Sequence, residues 1–169
     1  MKEANVIDLI KRRRSIREYT SEPVTESEVR QFLEAAMAAP SANNGQPWHF
    51  VVVRDKQTKS RLAETHRWSE MINDAALAIA VCGERRRSRH WVEDTSAATE
   101  NLLLAATALD LGAVWIGIHP DSERQSYVRG ALDIPEEIGV LCLVAVGRPA
   151  EQKPPRDNYN EARVHHDQW

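Results

Sequence analysis

Two apolar stretches, ALAIAVCG at residues 76–83 and GVLCLVAVG at residues 139–147, decide the fold. Each is an unbroken run of strand length, which predicts a strand buried on both faces. Gly83 is expected to end the first of them. WHFVVV at residues 48–53 predicts a further buried strand, and GAVWIGI at residues 112–118 predicts a fourth.

Helical patterns stand between these strands. Thr25 and Glu28 have the spacing of a capping box, followed by apolar residues at helical spacing as far as Pro40. The longest helix is expected over residues 95–111 with Gly112 as its C-cap. Shorter helices are expected near residues 6–13, 57–66 and 122–132. The alternation predicts one domain with a mixed α/β fold, in which helices cover a sheet.

Composition narrows the classes of function. The 169 residues carry a formal net charge of −3, which gives no general attraction to nucleic acid or anionic membranes. No apolar run has the length of a membrane span, and the first charges do not follow the order of a signal peptide, so we expect a cytoplasmic protein. Cys82 and Cys142 lie within apolar runs and predict buried thiols. The histidines have no metal-ligand spacing, and no metal site is expected.

An arginine-rich segment, RRRSIR at residues 12–17, follows the first predicted helix. If it is extended, Arg13, Ser15 and Arg17 share one side, while Arg14 and Ile16 face the other. Guanidinium groups and a hydroxyl suit a phosphorylated ligand. The alternative is that these arginines only complement the dipole of the preceding helix. A second basic run, at residues 85–89, is expected to form a solvated surface.

Two further segments are candidates for contact with a flat ligand. The loop PSANNGQPW at residues 40–48 carries amide groups between two prolines, which matches the hydrogen-bonding edge of a heteroaromatic ring. Taken alone, the same residues are more typical of ordinary turn chemistry. The predicted strand of residues 112–118 ends near Trp115, Ile116 and Gly117. A tryptophan there is more often part of a core, but Gly117 would allow a flat ligand to approach the backbone.

Taken together, RRSIR, APSANNGQPWHF, EDTSAATENLLLAA, GAVWIGIHP and KPPRDNYNEARVHHDQW resemble the small FMN-dependent nitroreductase family, in the same order and over essentially the whole chain. The resemblance implies a nitroreductase-like α+β fold, with a central, mostly antiparallel sheet flanked by helices. It also implies an intertwined homodimer with FMN at the subunit interface. The implied activity is transfer of hydride from NADH or NADPH to FMN, and then to a nitroaromatic, quinone or activated alkene, by a ping-pong mechanism.

The resemblance also assigns residues. It implies that Arg13 and Ser15 hold the FMN phosphate, with Arg14 in the same motif, and that Arg17 lies toward the pyrimidine edge. The partner subunit would contribute Pro40, Ser41, Ala42 and Asn44, and Trp115, Ile116 and Gly117 would pass the ring near N5. Arg163 is the first candidate for another phosphate contact, ahead of Arg148 and Arg156, and Asp94 is a candidate near the pyrimidine end. No side chain is expected to act as a catalytic residue, because the flavin carries the chemistry.

The last 20 residues differ in composition from the rest. Residues 1–149 are expected to form the FMN-binding core, and residues 150–169, with almost no aliphatic side chains, an arm that packs on the partner subunit. A flavin carrier or sensor without turnover is the alternative function, and a nucleic-acid binder using the arginine runs is a more distant one. The physiological acceptor and the choice between NADH and NADPH stay open.

Overall fold

The computed structural model describes residues 5–169, which form one antiparallel sheet covered by helices. The strands are β1 (Trp48–Val53), β2 (Leu77–Glu84), β3 (Gly112–Gly117) and β4 (Ile138–Gly147). Their order across the sheet is β1-β2-β4-β3, and each neighbouring pair is antiparallel. The helices are α1 (Val6–Arg12), α2 (Glu26–Met37), α3 (Lys56–Ala63), α4 (Trp91–Ala108) and α5 (Ser122–Leu132). The predicted mixed fold with a central antiparallel sheet is confirmed.

Both faces of the sheet are buried, which explains why its central strands are continuous apolar runs. In β2, Leu77, Ile79 and Val81 pack on one side with α2 and α4. Ala78, Ala80 and Cys82 alternate with them and pack on the other side with α3 and α5. The thiols of Cys82 and Cys142 are free and buried, as expected, and burial raises the pKa of Cys82 to about 12.

Two expectations about the strands are wrong. β1 is an edge strand, so His49 and Val52 are exposed and the strand is only partly buried. Gly83 does not end β2 but lies within it, directly opposite Gly139 of β4. The Trp91 ring packs over this pair, and a Cβ atom at Gly139 would lie 2.6 Å from that ring. The two glycines therefore make room for tryptophan, a reason for strand glycine that the sequence pattern does not distinguish from a strand end.

The long helix α4 begins four residues and ends three residues earlier than expected. It ends with Asp110 in the left-handed conformation, φ 56°, rather than with Gly112 as its cap. The N–H of Leu111 donates to the carbonyl of Ala106 at 2.8 Å, and that of Asp110 donates to Thr107 at 3.1 Å, which is the Schellman pattern. Gly112 instead opens β3, where a Cβ atom would lie 2.6 Å from Ile16 Cγ2.

The arginine-rich segment is extended and lies along the outer edge of β3. Ser15 forms a parallel bridge with Ala113, and the N–H of Ile16 donates to the Ala113 carbonyl at 3.0 Å. A parallel register of 15 with 113 brings residue 17 level with residue 115. The segment predicted to hold a ligand is therefore fixed beside the strand end predicted to do the same.

The first residues of the arm pair with this same segment of their own chain. The N–H of Ala150 donates to the Glu18 carbonyl at 2.8 Å, and that of Arg156 donates to Lys11 at 2.9 Å. Between them, Lys153 Nζ donates to the Ser15 carbonyl at 2.7 Å. Residues 157–169 are exposed. Within the chain, the arm thus consists of a paired part, residues 150–156, and an exposed part.

Within residues 5–169, no helix combines the length and the apolar character needed to span a membrane.

Candidate active site

A cleft of about 290 Å³ lies where the arginine-rich segment meets the end of β3. Its lining residues are Arg17, His66, Trp68, Val114, Trp115, Ile116, Gly117 and Arg124. Four of these, Arg17 and Trp115 to Gly117, were predicted as site residues from sequence. The parallel register between Ser15 and Ala113 explains why they meet.

Gly117 makes the floor of this cleft accessible. A Cβ atom built at Gly117 would have no heavy atom within 4 Å, whereas one at Gly112, in the same strand, would overlap Ile16. The absence of a side chain at position 117 is thus not required by packing in the described structure. A flat ring can lie against the main chain at this point.

Arg13 and Arg14 leave the segment in different directions from Arg17. Arg13 Nε lies 3.3 Å from Glu100 Oε1 on α4. Arg14 Nη1 donates to the Pro154 carbonyl of the arm, and Arg14 lines a separate cleft that also includes Ile16 and Lys153. Arg14 and Ile16 share one side, as expected of an extended segment. The expectation that Arg13 and Arg17 share the other side is wrong, because Arg13 is the C-cap of α1 and pairs with α4, and it does not line the cleft of Arg17. A phosphate bound by Arg13 would compete with the Glu100 carboxylate.

The loop of residues 40–47 is ordered by its own side chains. Asn43, Asn44 and Gln46 all have positive φ, at 51°, 53° and 45°. Ser41 Oγ accepts from the Gln46 N–H at 3.0 Å, and Gln46 Nε2 donates to Asn44 Oδ1 at 2.8 Å. Asparagine tolerates the left-handed region better than most residues, so turn chemistry accounts for part of this sequence. Among the described residues, the lining of the 290 Å³ cleft includes none from this loop.

Asp94 attaches this loop to α4. Its Oδ1 accepts from the Ala42 N–H at 2.9 Å, and the residue is only 5% exposed. Its second oxygen is buried and has no hydrogen-bond partner within residues 5–169. Arg87 Nε holds the other end of the loop by donating to the Gly45 carbonyl at 2.6 Å. The structure thus places Asp94 against the loop, and the hypothesis of a direct contact with a ring remains a prediction.

The three arginines considered for a second phosphate contact lie in different surroundings. Arg148 is engaged by its own chain, with Nη2 at 2.8 Å from Glu28 and Nε at 3.4 Å from Glu22. Arg156 lies beside Lys11 through its backbone, and Arg163 lies in a short 3-10 helix, Glu161–Arg163, of the exposed arm. Arg148 is therefore the least available of the three.

His66, Trp68 and Arg124 were not predicted as site residues. The imidazole accepts from the Trp68 N–H through Nδ1 at 3.0 Å. Desolvation and the neighbouring Arg124 cation lower the pKa of His66, which favours the neutral ring that accepts through Nδ1. The sequence feature that could have indicated Trp68 as a site residue is its isolation within the polar stretch THRWSE, which has neither strand nor helix periodicity. No sequence feature indicates Arg124 as a site residue, because it lies on a surface helix with no unusual pattern.

A family model described as Nitroreductase family matches residues 10–68 and 63–148. The chain belongs to the nitroreductase family. It is 41% identical over 170 residues to a protein of Archaeoglobus fulgidus named as an NADH dehydrogenase/NAD(P)H nitroreductase, covering 96% of this chain and 98% of that one.

Solved structures of the nitroreductase family agree with the fold. A Parabacteroides distasonis protein of the same name superposes with a TM-score of 0.96 and 36% identity, covering 99% of this chain and all of that one. A Desulfovibrio desulfuricans nitroreductase, solved in complex with FMN, superposes with a TM-score of 0.88 and 32% identity over 99% of each chain. The predicted family is thus confirmed over the full length of the described fold.

Proposed function

We propose that this chain is an FMN-dependent oxidoreductase that takes hydride from NADH or NADPH and reduces a second substrate by a ping-pong mechanism. The acceptor is a nitroaromatic, a quinone or an activated alkene. The observation that carries the proposal is the cleft in which Arg17 lies beside the open main chain at Gly117. The names and the FMN complex of its relatives support the same reading.

The residues of the cleft fit a flavin. Gly117 leaves space for a flat ring, Trp115 and Ile116 supply apolar surface, and Arg17 supplies a cation at the edge. No carboxylate lines the cleft within the described residues, so a ring that gains negative charge meets no like charge there. When bound, FMN supplies a centre that accepts hydride from a nicotinamide and donates it to an acceptor.

The chain itself contributes binding and electrostatics. Arg17 favours reduction by attracting the negative charge that arrives at the pyrimidine edge. Arg13 and Ser15 would bind the phosphate, with Arg163 as a further contact. The overall reaction balances as NAD(P)H, a proton and the oxidised acceptor giving NAD(P)⁺ and the acceptor reduced by two electrons. Solvent supplies the protons, in keeping with the expectation that no side chain acts as a fixed acid or base.

The proposed functional unit is a cytoplasmic homodimer. Pro40, Ser41, Ala42 and Asn44 would reach the FMN bound by the partner subunit, because within one chain their loop lies on α4 and away from the cleft. Asn44 is exposed, as such a contact requires. One dimer would then hold two equivalent sites.

The proposal is tested by purifying the protein and titrating it with FMN. We expect a yellow protein whose flavin absorbance bleaches on anaerobic addition of NADH or NADPH and returns with menadione or a nitroaromatic. A colourless protein that does not take up FMN would contradict the proposal. Binding of FMN without steady-state oxidation of NADH or NADPH would instead support a carrier or sensor.

A further inference from the structure

His66, Trp68 and Arg124 line the cleft but have no role in the cofactor assignment. His66 and Trp68 lie in the turn that follows α3, and Arg124 lies in the first turn of α5. The other lining residues, which are assigned to the flavin or belong to the same strand, come from the arginine-rich segment and from β3. The cleft therefore has a second wall, built by separate elements, that is available to the molecules that exchange electrons with the flavin.

The turn holds the backbone of Trp68 firmly, although the side chain is 64% exposed. Besides the bond from the Trp68 N–H to His66 Nδ1, the buried Ser69 hydroxyl accepts from the His66 N–H at 3.0 Å and donates to the Ala63 carbonyl at 2.8 Å. An exposed indole on an ordered backbone at the rim of a cleft is a stacking surface for a flat ring.

The charge of this wall is positive. Arg124 joins Arg17 in the lining, and the guanidinium of Arg67 lies 4.8 Å from the centre of the Trp68 ring. Arg124 Nε pairs with Asp121 Oδ2 at 3.2 Å, and within residues 5–169 its terminal nitrogens donate no hydrogen bond. A ligand that carries an anion would meet guanidinium donors here and would compete with Asp121 for Arg124.

We propose that Trp68 and Arg124 form an acceptor subsite that selects flat aromatic molecules with an anionic substituent, such as a carboxylate or sulfonate. The proposal rests on the proposed function, because it requires a reduced flavin to be present in the same cleft. Trp68 stacks on the aromatic ring of the acceptor, and Arg124 binds its anionic group. Arg67 strengthens the stack by its position over the indole.

The test compares two acceptors that differ in charge, 4-nitrobenzoate and 4-nitrobenzamide, with the FMN-loaded protein and saturating NADH. We expect the wild type to prefer the benzoate in kcat/KM. Arg124→Gln should lower the benzoate-to-benzamide ratio about 3- to 10-fold, a range suited to a partly exposed ion pair. Trp68→Ala should lower kcat/KM for both acceptors. Arg129→Gln, on the same helix but hydrogen-bonded to Ser126, is the matched control and should leave the ratio unchanged.

Two further measurements on the same variants separate the outcomes. FMN affinity and the rate of anaerobic bleaching by NADH should be the same in wild type and Arg124→Gln. If wild type fails to bind FMN, or bleaches with neither NADH nor NADPH, the proposed function fails and this inference fails with it. If both proceed but wild type shows no preference, or Arg124→Gln keeps the ratio, the inference alone is overturned. A loss confined to FMN affinity or to bleaching by NADH also overturns it, because the wall would then serve the cofactor or the nicotinamide.

Discussion

At Gly117, a substitution should affect FMN binding without affecting folding. Its Cβ position is open in the described structure, so Gly117→Ala should change the free energy of unfolding by less than about 0.5 kcal/mol. A methyl group on the floor of the cleft would displace a flat ring, and overpacking of this kind costs about 1–3 kcal/mol. We therefore expect FMN affinity to fall roughly 5- to 150-fold, measured by fluorescence titration.

Gly112→Ala in the same strand is the matched control with the opposite pattern. Its methyl group would overlap Ile16, which should lower the free energy of unfolding by about 1–3 kcal/mol. Unchanged FMN affinity in Gly117→Ala would mean that the ring does not lie against this part of β3.

Substitution of Arg13 tests whether this side chain binds the FMN phosphate. If Arg13 binds the phosphate, Arg13→Ala should remove about 1.5–3 kcal/mol of binding free energy, roughly 10- to 150-fold in the FMN dissociation constant. Glu100→Gln removes the carboxylate that pairs with Arg13 and keeps the guanidinium, so FMN affinity should be retained or rise. Equal stability losses in both variants, with unchanged FMN affinity, would restrict Arg13 to the ion pair with Glu100.

At the scale of elements, Asp94 couples the start of α4 to the loop of residues 40–47. Asp94→Ala would leave the half-buried Ala42 N–H without its acceptor, which costs about 1 kcal/mol of folding stability. Because this loop is proposed to contact the flavin of the partner subunit, FMN affinity should fall as well. Asp94→Asn keeps an acceptor oxygen and should restore most of both quantities. If the asparagine variant is as impaired as the alanine variant, the hydrogen bond is not the cause.

The capping box of α2 predicts a dependence of stability on pH. The hydrogen bond from the Thr25 N–H, with a smaller contribution from Arg148, holds the pKa of Glu28 below its usual value of 4.5. The folded state thus binds the proton more weakly than the unfolded state, so this stabilisation is present above about pH 4.5 and is lost as pH falls through the folded pKa. Glu28→Gln preserves a capping-box acceptor but removes the charge next to Arg148.

We expect Glu28→Gln to lower the free energy of unfolding by about 0.5–1.5 kcal/mol at pH 7, a range for a partly exposed charged hydrogen bond. Urea denaturation of both proteins between pH 3 and 7 measures the difference. It should shrink below pH 4.5 and disappear at the acid end. A difference that does not vary with pH would show that the charge of Glu28 contributes nothing.

The elements could be predicted where local chemistry determines them. The capping box of α2 and the bounds of α5 follow from residues within a few positions of each other. The end of α4 could not be predicted, because Asp110 adopts the left-handed conformation that glycine usually adopts after a helix. Gly112, which suggested the helix end, is instead required because a side chain there would overlap Ile16. Arg124 and Trp68 could not be assigned to the cleft, since only the packing of α5 and the α3 turn around β3 brings them there.

At the scale of the whole molecule, the arm consists of a part that pairs with its own chain and a part that is exposed. Residues 150–156 pair with residues 11–18 of the same chain and so support the segment that contains Arg17. Residues 157–169 leave Tyr159 and Trp169 exposed, and the Trp169 ring stacks on His165 with centroids 4.3 Å apart. Aromatic side chains exposed in a segment without a core favour a partner surface. We propose that this exposed part, rather than the whole arm, packs on the second subunit.

Two truncations separate these contacts. A variant that ends at Arg156 keeps the pairing with residues 11–18 but should dissociate more readily into monomers and lose FMN. Trp169→Ala should reproduce part of this effect, at about 2 kcal/mol or roughly 30-fold in the dimer dissociation constant, as for a buried interface aromatic. A variant that ends at Pro149 also loses the intrachain pairing and should be less stable to heat.

Sedimentation velocity over a range of concentrations and FMN fluorescence measure the two properties in each variant. Arg163→Ala is the comparison that separates the proposed phosphate contact from dimer formation, because it should weaken FMN binding without changing the sedimentation profile. A protein ending at Arg156 that remains a dimer with FMN bound would overturn this account of residues 157–169. In that case the homodimer would have to rest on other surfaces, such as the exposed Val6, Ile7 and Ile10 of α1.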